Sequence, residues 1–100
     1  MRMSETQFVQ PEAGGTVELI VHHKKSQVLL VVSDKGTRYW KRVNWSVPII
    51  AGDKLWWERN IGYLNSADGL YLNDRIGPCR ETGPPSRHWT GSQWVEIGEV

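Results

Sequence analysis

Alternation of apolar and polar side chains is the main structural signal along this chain. From Thr16 to His23, the apolar residues Val17, Leu19 and Val21 occupy every second position in a segment rich in β-branched residues. A period of two predicts a β-strand. The run VLLVV at 28–32 is apolar at every position. Such a run predicts a central strand that is covered on both faces.

The same pattern predicts the remaining strands, with turn residues between them. The tetrapeptide DKGT at 34–37 predicts a hairpin turn, because Gly36 can take the positive φ that tight connections need. RYWKRVNW, residues 38–45, is then the returning strand. Further strands are predicted in KLWWER (54–59), in the two arms of IGYLNSADGLYLN (61–73) around a loop at 66–69, and in SQWVEI (92–97). Residues 74–87 contain two glycines and three prolines, which predict an irregular loop.

These elements predict an all-β fold of about six or seven short antiparallel strands. No window combines a 3.6-residue apolar period with helix start and stop signals. Short strands joined by hairpins favour a small β-barrel, SH3-like or OB-like, over a sandwich. Residues 1–15 end in Gly14-Gly15 and lack an apolar period, so we expect a flexible N-terminal segment there. Residues 16–100 are then expected to form one domain.

Neighbouring aromatic residues decide which face of each strand is buried. Successive side chains point to opposite faces, so Tyr39 and Trp40 cannot share one face. One face of the 38–43 strand carries Tyr39, Lys41 and Val43, and the other carries Arg38, Trp40 and Arg42. Burying the first face desolvates no guanidinium, so we predict that it faces the core. Trp40 then faces outward between two arginines.

The segment KLWWER follows the same rule. Leu55 and Trp57 are expected to face inward, which leaves Trp56 outward between Lys54 and Glu58. If this strand lies near the 38–43 strand, Trp40 and Trp56 share a face that is rich in cations.

Aromatic side chains surrounded by cations are typical of surfaces that bind single-stranded nucleic acid, because bases stack on the rings and phosphates contact the charges. We therefore predict a non-catalytic binding module with single-stranded nucleic acid as its partner. The predicted ligand-binding residues are Arg38, Trp40, Arg42, Lys54 and Trp56, helped by Lys24, Lys25 and Lys35.

The distribution of charge gives this hypothesis local support only. The net charge of the whole chain is +1, too small to attract a polyanion from a distance. Between residues 22 and 42, however, six Lys or Arg accompany a single acid, Asp34, a local balance of +5. The loop PCRETGPPSRHW (78–89) offers a second set of cations, which either contacts an anion or simply closes one end of the barrel.

The same residues are compatible with three alternative roles. The aromatic side chains can anchor a protein–protein or homo-oligomeric interface, where Trp, Tyr and Arg are enriched. A Trp-lined cleft can instead bind a small molecule or a sugar. Finally, Arg38 and Arg42 can lay their stems over Trp40 in cation–π contacts that only stabilise the fold.

The chain contains few residues suited to metal binding or catalysis. His22, His23, His88 and the single cysteine, Cys79, have no metal-ligand spacing, so we predict neither a metal nor another cofactor. Cys79 with His88 as its base makes a conceivable nucleophile. Because Cys79 follows Gly77-Pro78 rather than opening a helix, no helix dipole activates it, and we predict no enzyme activity.

The single cysteine also bears on location. It excludes an internal disulfide and fits a reducing compartment. We find no secretory signal and no apolar run long enough to span a membrane, so the sequence favours a cytoplasmic protein without membrane contact.

Overall fold

The structure, a computed structural model, describes residues 13–98. Its elements within that range are β1 (Ala13–His23), β2 (Ser26–Val32), β3 (Arg38–Asn44), β4 (Lys54–Glu58), β5 (Ile61–Ser66), β6 (Gly69–Tyr71), α1 (Asn73–Ile76), β7 (Arg80–Glu81), β8 (Arg87–Trp89) and β9 (Trp94–Glu96). Seven strands form one antiparallel sheet in the order β6-β5-β4-β1-β2-β3-β7, and β8 pairs with β9 in a separate hairpin. The predicted all-β fold is confirmed.

β2 is the central strand that its apolar run predicts. It pairs with β1 on one side and with β3 on the other. Side chains on both of its faces are buried, with Leu29 fully inaccessible and Leu30 only 3% exposed. The turn from β2 to β3 also forms as predicted, since Gly36 has a φ of 85° and its N–H donates to the Ser33 carbonyl at 2.9 Å.

The hydrophobic core lies against one face of the sheet, here called the inner face. It combines buried side chains of β1 to β5 with Val47 and Ile49 from the loop after β3, Ile76 of α1 and Cys79. Gly62 of β5 lies directly under Ile76 and Cys79, where a Cβ would come within 2.7 Å of Ile76 Cδ1. The absence of a side chain at Gly62 therefore allows α1 and the segment after it to pack on β5.

The predicted pleat parity is confirmed on both strands that carry adjacent aromatics. Val43, Leu55 and Trp57 are buried in the inner-face core, and Tyr39 packs against it. Lys41 is only 5% exposed, and its Nζ lies 4.4 Å from the centroid of the Trp57 ring. The indole supplies a cation–π contact to this ammonium. Glu81 is the cross-strand partner of Lys41, but within the described residues the ammonium forms no ion pair. The opposite, outer face carries Trp40 and Trp56.

Two features differ from the sequence predictions. Residues 13–15 of the predicted flexible segment belong to β1, because they pair with β4; the rest of that segment, residues 1–12, lies outside the described residues. The predicted irregular loop contains part of α1, all of β7 and the start of β8. These short elements depend on long-range contacts, such as the Cys79 N–H donating to the Asn60 carbonyl at 2.8 Å.

The sheet is not closed by hydrogen bonds between strands within residues 13–98. β6 and β7 lie at its two ends and each pairs with a single neighbour. The structure therefore supports a small antiparallel β domain, while the barrel stays a prediction.

Gln27 holds the chain where it leaves β3. Its side chain is buried on the inner face of β2, and its Nε2 lies 2.7 Å from the Asn44 carbonyl, 3.0 Å from that of Trp45 and 2.7 Å from that of Val47. The Gln27 amide thus contacts three backbone carbonyls in the segment where β3 ends and the following loop begins.

We predict that Gln27→Ala lowers the free energy of unfolding by about 1–3 kcal/mol, because buried carbonyls lose their donor. Urea denaturation followed by circular dichroism measures this difference. Gln93→Ala is the matched control, since Gln93 is exposed and only its backbone groups form hydrogen bonds; we expect a change within about 0.5 kcal/mol. Equal effects of the two substitutions would contradict the role of Gln27.

Candidate nucleic-acid interface

Three of the predicted ligand-binding residues follow one another on the outer face of β3. Arg38, Trp40 and Arg42 alternate with the inner-face residues, and their cross-strand partners on β2 are Val32, Leu30 and Val28. Arg38 is exposed, whereas Trp40 and Arg42 are half-buried. Arg42 extends toward the neighbouring strand β2, where its Nη1 donates to Ser26 Oγ at 2.7 Å. The predicted order Arg–Trp–Arg along one face is therefore present.

Trp40 and Trp56 share the outer face but are not neighbours, which corrects the expectation of an aromatic pair. β1 and β2 lie between β4 and β3 in the sheet. Three inter-strand spacings of about 4.8 Å place the two strands ~14 Å apart. The two rings cannot stack on the same base, so each can serve only a separate base.

A row of directly paired residues connects the two strands across the outer face. Lys54 of β4 pairs with Thr16 of β1, Thr16 also pairs with Val32 of β2, and Val32 pairs with Arg38 of β3. Lys54 Nζ donates to Thr16 Oγ1 at 2.7 Å, which directs this ammonium along the row. We call the outer-face set Trp56, Lys54, Arg38, Trp40 and Arg42 the basic track.

One end of the basic track opens into a groove of about 530 Å³. This strand-end groove lies between the start of β1 and the β2–β3 turn, and Lys35, Lys54 and Trp56 line it together with Asp34. The Trp56 ring lies against Gly14, where a Cβ would come within 2.3 Å of the Trp56 Cδ1 atom. Gly14 thus allows the indole to lie flat on the sheet.

The other end of the basic track enters a pocket of about 360 Å³, here called the cationic pocket. Lys25, Arg42 and Arg80 line it, with Ser26, Asn44 and the backbone of Gly77-Pro78 as further walls. No carboxylate is among its lining residues. Arg80 joins this set because β7 pairs it directly with Arg42. The sequence does not predict that Arg80 pairs with Arg42, because Arg80 lies in the segment predicted to be an irregular loop.

Ring contacts distinguish the two track tryptophans from the other four. Trp57 contacts Tyr39 and Lys41, Trp45 contacts His22, and Trp89 and Trp94 contact each other. Within the described residues, Trp40 and Trp56 have no aromatic or cation–π partner. Within the described residues, Arg38 and Arg42 thus form no cation–π contact with Trp40, the contact on which the alternative of a purely stabilising role partly depends.

Lys24 lies apart from the basic track. Its Nζ is 4.9 Å from the Trp89 ring centroid, and Arg87 lies 5.1 Å from that of Trp94. The second set of cations predicted in 78–89 is therefore divided: Arg80 belongs to the cationic pocket, and Arg87 belongs to the β8–β9 hairpin. Of the eight predicted residues, seven line the basic track or its two ends, and Lys24 does not.

The histidines lie where the β8–β9 hairpin packs on β1. The backbone N–H of His22 donates to His88 Nδ1 at 3.1 Å, and the His23 ring centroid lies 5.4 Å from that of Trp94. Burial, and then the nearby Arg42, Arg87 and His88, hold the pKa of His23 below its usual value. Burial and His88 likewise lower the pKa of His22. His23 Nε2 is buried without a hydrogen-bond partner.

Cys79 is fully buried in the core, and burial raises the pKa of its thiol to about 11 in spite of nearby Lys41. A protonated, inaccessible thiol cannot attack a substrate, which removes the conceivable Cys79 nucleophile. Within residues 13–98, no three or more His, Cys, Asp or Glu side chains come together in a way that could hold a metal ion. No helix in that range has the length and hydropathy needed to cross a membrane.

Comparison of the chain with protein-family models, with curated proteins and with solved structures finds no significant match. The interpretation of the basic track therefore depends on its own geometry and charge.

We predict that Cys79 is unreactive toward a thiol reagent such as DTNB in the native protein at pH 8 and becomes fully reactive in denaturant. The reason is the combined effect of burial and a raised pKa. Rapid stoichiometric labelling of the native protein would show that the segment carrying Cys79 does not pack on the core.

We also predict that the free energy of unfolding decreases as the pH falls from about 7.5 to 5.5, a range above the titration of ordinary carboxylates. His22 and His23 have pKa values below the usual one in the folded state, so the unfolded chain binds protons first. Denaturant melts at several pH values measure the slope, and His23→Phe should flatten it. Increased stability on acidification would contradict the burial of these rings.

Proposed function

We propose that this domain is a non-catalytic module that binds single-stranded nucleic acid along the basic track. The strand enters at the strand-end groove, crosses the outer face beside Lys54 and Arg38, and follows β3 past Trp40 to the cationic pocket. Trp56 and Trp40 each stack on one base. Lys35, Lys54, Arg38, Arg42 and Lys25 contact phosphates along this path.

The observation that carries the proposal is the imbalance of charge around Trp40 and Trp56, two half-buried rings that have no aromatic or cation–π partner within the described residues. The two cavities at the ends of the track are lined by five Lys or Arg and one carboxylate, Asp34. Arg38 and Arg42 have no carboxylate partner in the part of the chain that the structure describes. Cations that the protein leaves uncompensated are available to phosphates, and releasing counterions from those phosphates drives binding.

A single strand fits this surface better than a duplex. Stacking on Trp40 or Trp56 needs a base whose face is free, and bases in a duplex are already stacked on their neighbours. Each stacked base contributes about 1–3 kcal/mol with little sequence preference. The two stacking positions are ~14 Å apart across the sheet and are also displaced along the strands, since Trp56 is level with Gly14 and Trp40 with Leu19 of β1. The intervening nucleotides therefore contact the domain through phosphates.

Exposed apolar side chains favour a different surface for any protein partner. Leu70 is 64% exposed, and Leu72 and Ile61 are also exposed on or beside the β5–β6 hairpin. An interface anchored on Trp40 would instead have to desolvate Arg38 and Arg42. The alternative function is a protein-interaction or homo-oligomeric module. The third is small-molecule or sugar binding beside Trp56.

Two further parts of the proposal concern shape and location. Side chains from β3, β5 and α1 share one core, which supports a sheet curled into a small, partly open barrel. A free, buried Cys79 supports a reducing compartment, and we propose the cytoplasm.

Titration with an internally labelled oligonucleotide of about 12 nucleotides tests the proposal, since known single-strand sites span about 4–16 nucleotides. Fluorescence anisotropy at several salt concentrations gives affinity and salt dependence. We expect Trp40→Ala and Trp56→Ala each to weaken binding by about 5- to 150-fold, as the loss of one stacked base requires. Trp89→Ala, in the β8–β9 hairpin, should leave the affinity unchanged.

The double variant Arg38→Gln/Lys54→Gln should reduce the log–log salt slope by about 1.4, or 0.7 for each phosphate that is no longer neutralised. Arg75→Gln is the matched charge control, because the Arg75 guanidinium lies 5.6 Å from the Tyr71 ring centroid and lines neither cavity of the track. Absence of oligonucleotide binding at low salt would refute the proposed function. A salt-insensitive response to sugars would instead favour the third function, small-molecule or sugar binding.

A further inference from the structure

The pairing of Arg42 with Arg80 is unfavourable for the protein alone. The two residues are direct cross-strand partners in the β3–β7 pair. Like charges directly opposite each other in a sheet are destabilising. Neither guanidinium has a carboxylate within ion-pair distance in residues 13–98, and Lys25 adds a third cation to the same cavity. Such an arrangement is compensated when an anion lies between the cations.

The walls of the cationic pocket provide hydrogen-bond donors. Ser26 Oγ accepts from Arg42 Nη1 at 2.7 Å, which fixes the guanidinium and leaves the hydroxyl proton of Ser26 free to donate. Arg42, Arg80 and Lys25 supply charged N–H donors, the kind that hold phosphate oxygens most strongly. The other side is lined by Gly77-Pro78 and Asn44, which are neighbours: a Cβ on Gly77 would come within 3.4 Å of the Asn44 Cβ.

We propose that the cationic pocket binds the terminal phosphate monoester of an oligonucleotide whose chain runs back along β3. This inference deepens the proposed function and depends on it. Three cations exceed the single charge of an internal phosphodiester. A monoester carries about −1.5 to −2 at pH 7 and offers three acceptor oxygens. It therefore matches both the charge and the number of donors in the pocket.

The cationic pocket lies at one end of the basic track, next to the Trp40 stacking position. Arg42 lies two residues beyond Trp40 on the same face, a distance of about 7 Å along a strand. A terminal phosphate between Arg42 and Arg80 therefore places the adjoining base near the Trp40 ring. Gly77-Pro78 and Asn44 line the side of the pocket beyond Arg42.

The test compares three internally labelled oligonucleotides of one sequence, with a 5′-phosphate, with a 3′-phosphate, or with neither. We expect one of the two phosphorylated ends to bind at least tenfold more tightly than the unphosphorylated strand. Lys25→Gln and Arg80→Gln should each abolish most of that advantage, because each lowers affinity for the phosphorylated strand by a larger factor than affinity for the unphosphorylated strand. Arg75→Gln should preserve the advantage.

Thermal melting of the free protein gives a second measurement and shows that the variants fold. We expect Arg80→Gln to raise the melting temperature at low salt, because it removes the repulsion of Arg42, whereas Arg75→Gln should not. Inorganic phosphate should raise the melting temperature of the unmodified protein more than that of Arg80→Gln.

The remaining outcomes separate this inference from the proposed function. Equal affinity for all three oligonucleotides would overturn the terminal-phosphate site and leave single-strand binding intact. Failure of every oligonucleotide to bind would overturn both. Arg80-dependent binding of a phosphoserine peptide, without oligonucleotide binding, would also overturn both and assign the pocket to a protein ligand.

Discussion

The pleat of β3 is the constraint on which this structure depends. The strand has two faces, and the face with two arginines cannot be buried without desolvating both guanidinium groups. The face with Tyr39, Lys41 and Val43 therefore packs on the core. Its one charge is accommodated because the Lys41 ammonium lies over the Trp57 ring. Trp40 is consequently held on the outer face, whatever its own preference for burial.

This arrangement concentrates cations that no carboxylate within residues 13–98 pairs with. Core packing fixes β3 between β2 and β7, and that register places Arg42 opposite Arg80 and Arg38 in one row with Lys54. The fold thus accepts some like-charge repulsion at its surface. Two tryptophan rings without ring partners lie along the same path. Charge and stacking surface together are the chemistry that a flexible polyanion with aromatic bases requires.

Local patterns predicted the strands and their buried faces, and long-range pairing decided the rest. The alternation in 38–43 and 54–58, and the glycine in the β2–β3 turn, are short-range signals that the structure confirms. Strand order is not a short-range property: β3 and β4 are consecutive along the chain, yet β1 and β2 lie between them. The Gly14-Gly15 pair predicted a flexible N-terminal segment, whereas Gly14 packs under Trp56. Only the register of β7 with β3 identifies Arg80 as part of the cationic pocket.

The indole N–H resonances of the six tryptophans test the central claim most directly, because each ring reports on its own surroundings. In a nuclear magnetic resonance titration with a single-stranded oligonucleotide, the signals of Trp40 and Trp56 should shift progressively. The signal of Trp57, which is sealed in the core, should stay in place. Shifts confined to Trp89 and Trp94, or no shift of Trp40 at saturating oligonucleotide, would contradict the claim that the outer face of β3 is the binding surface.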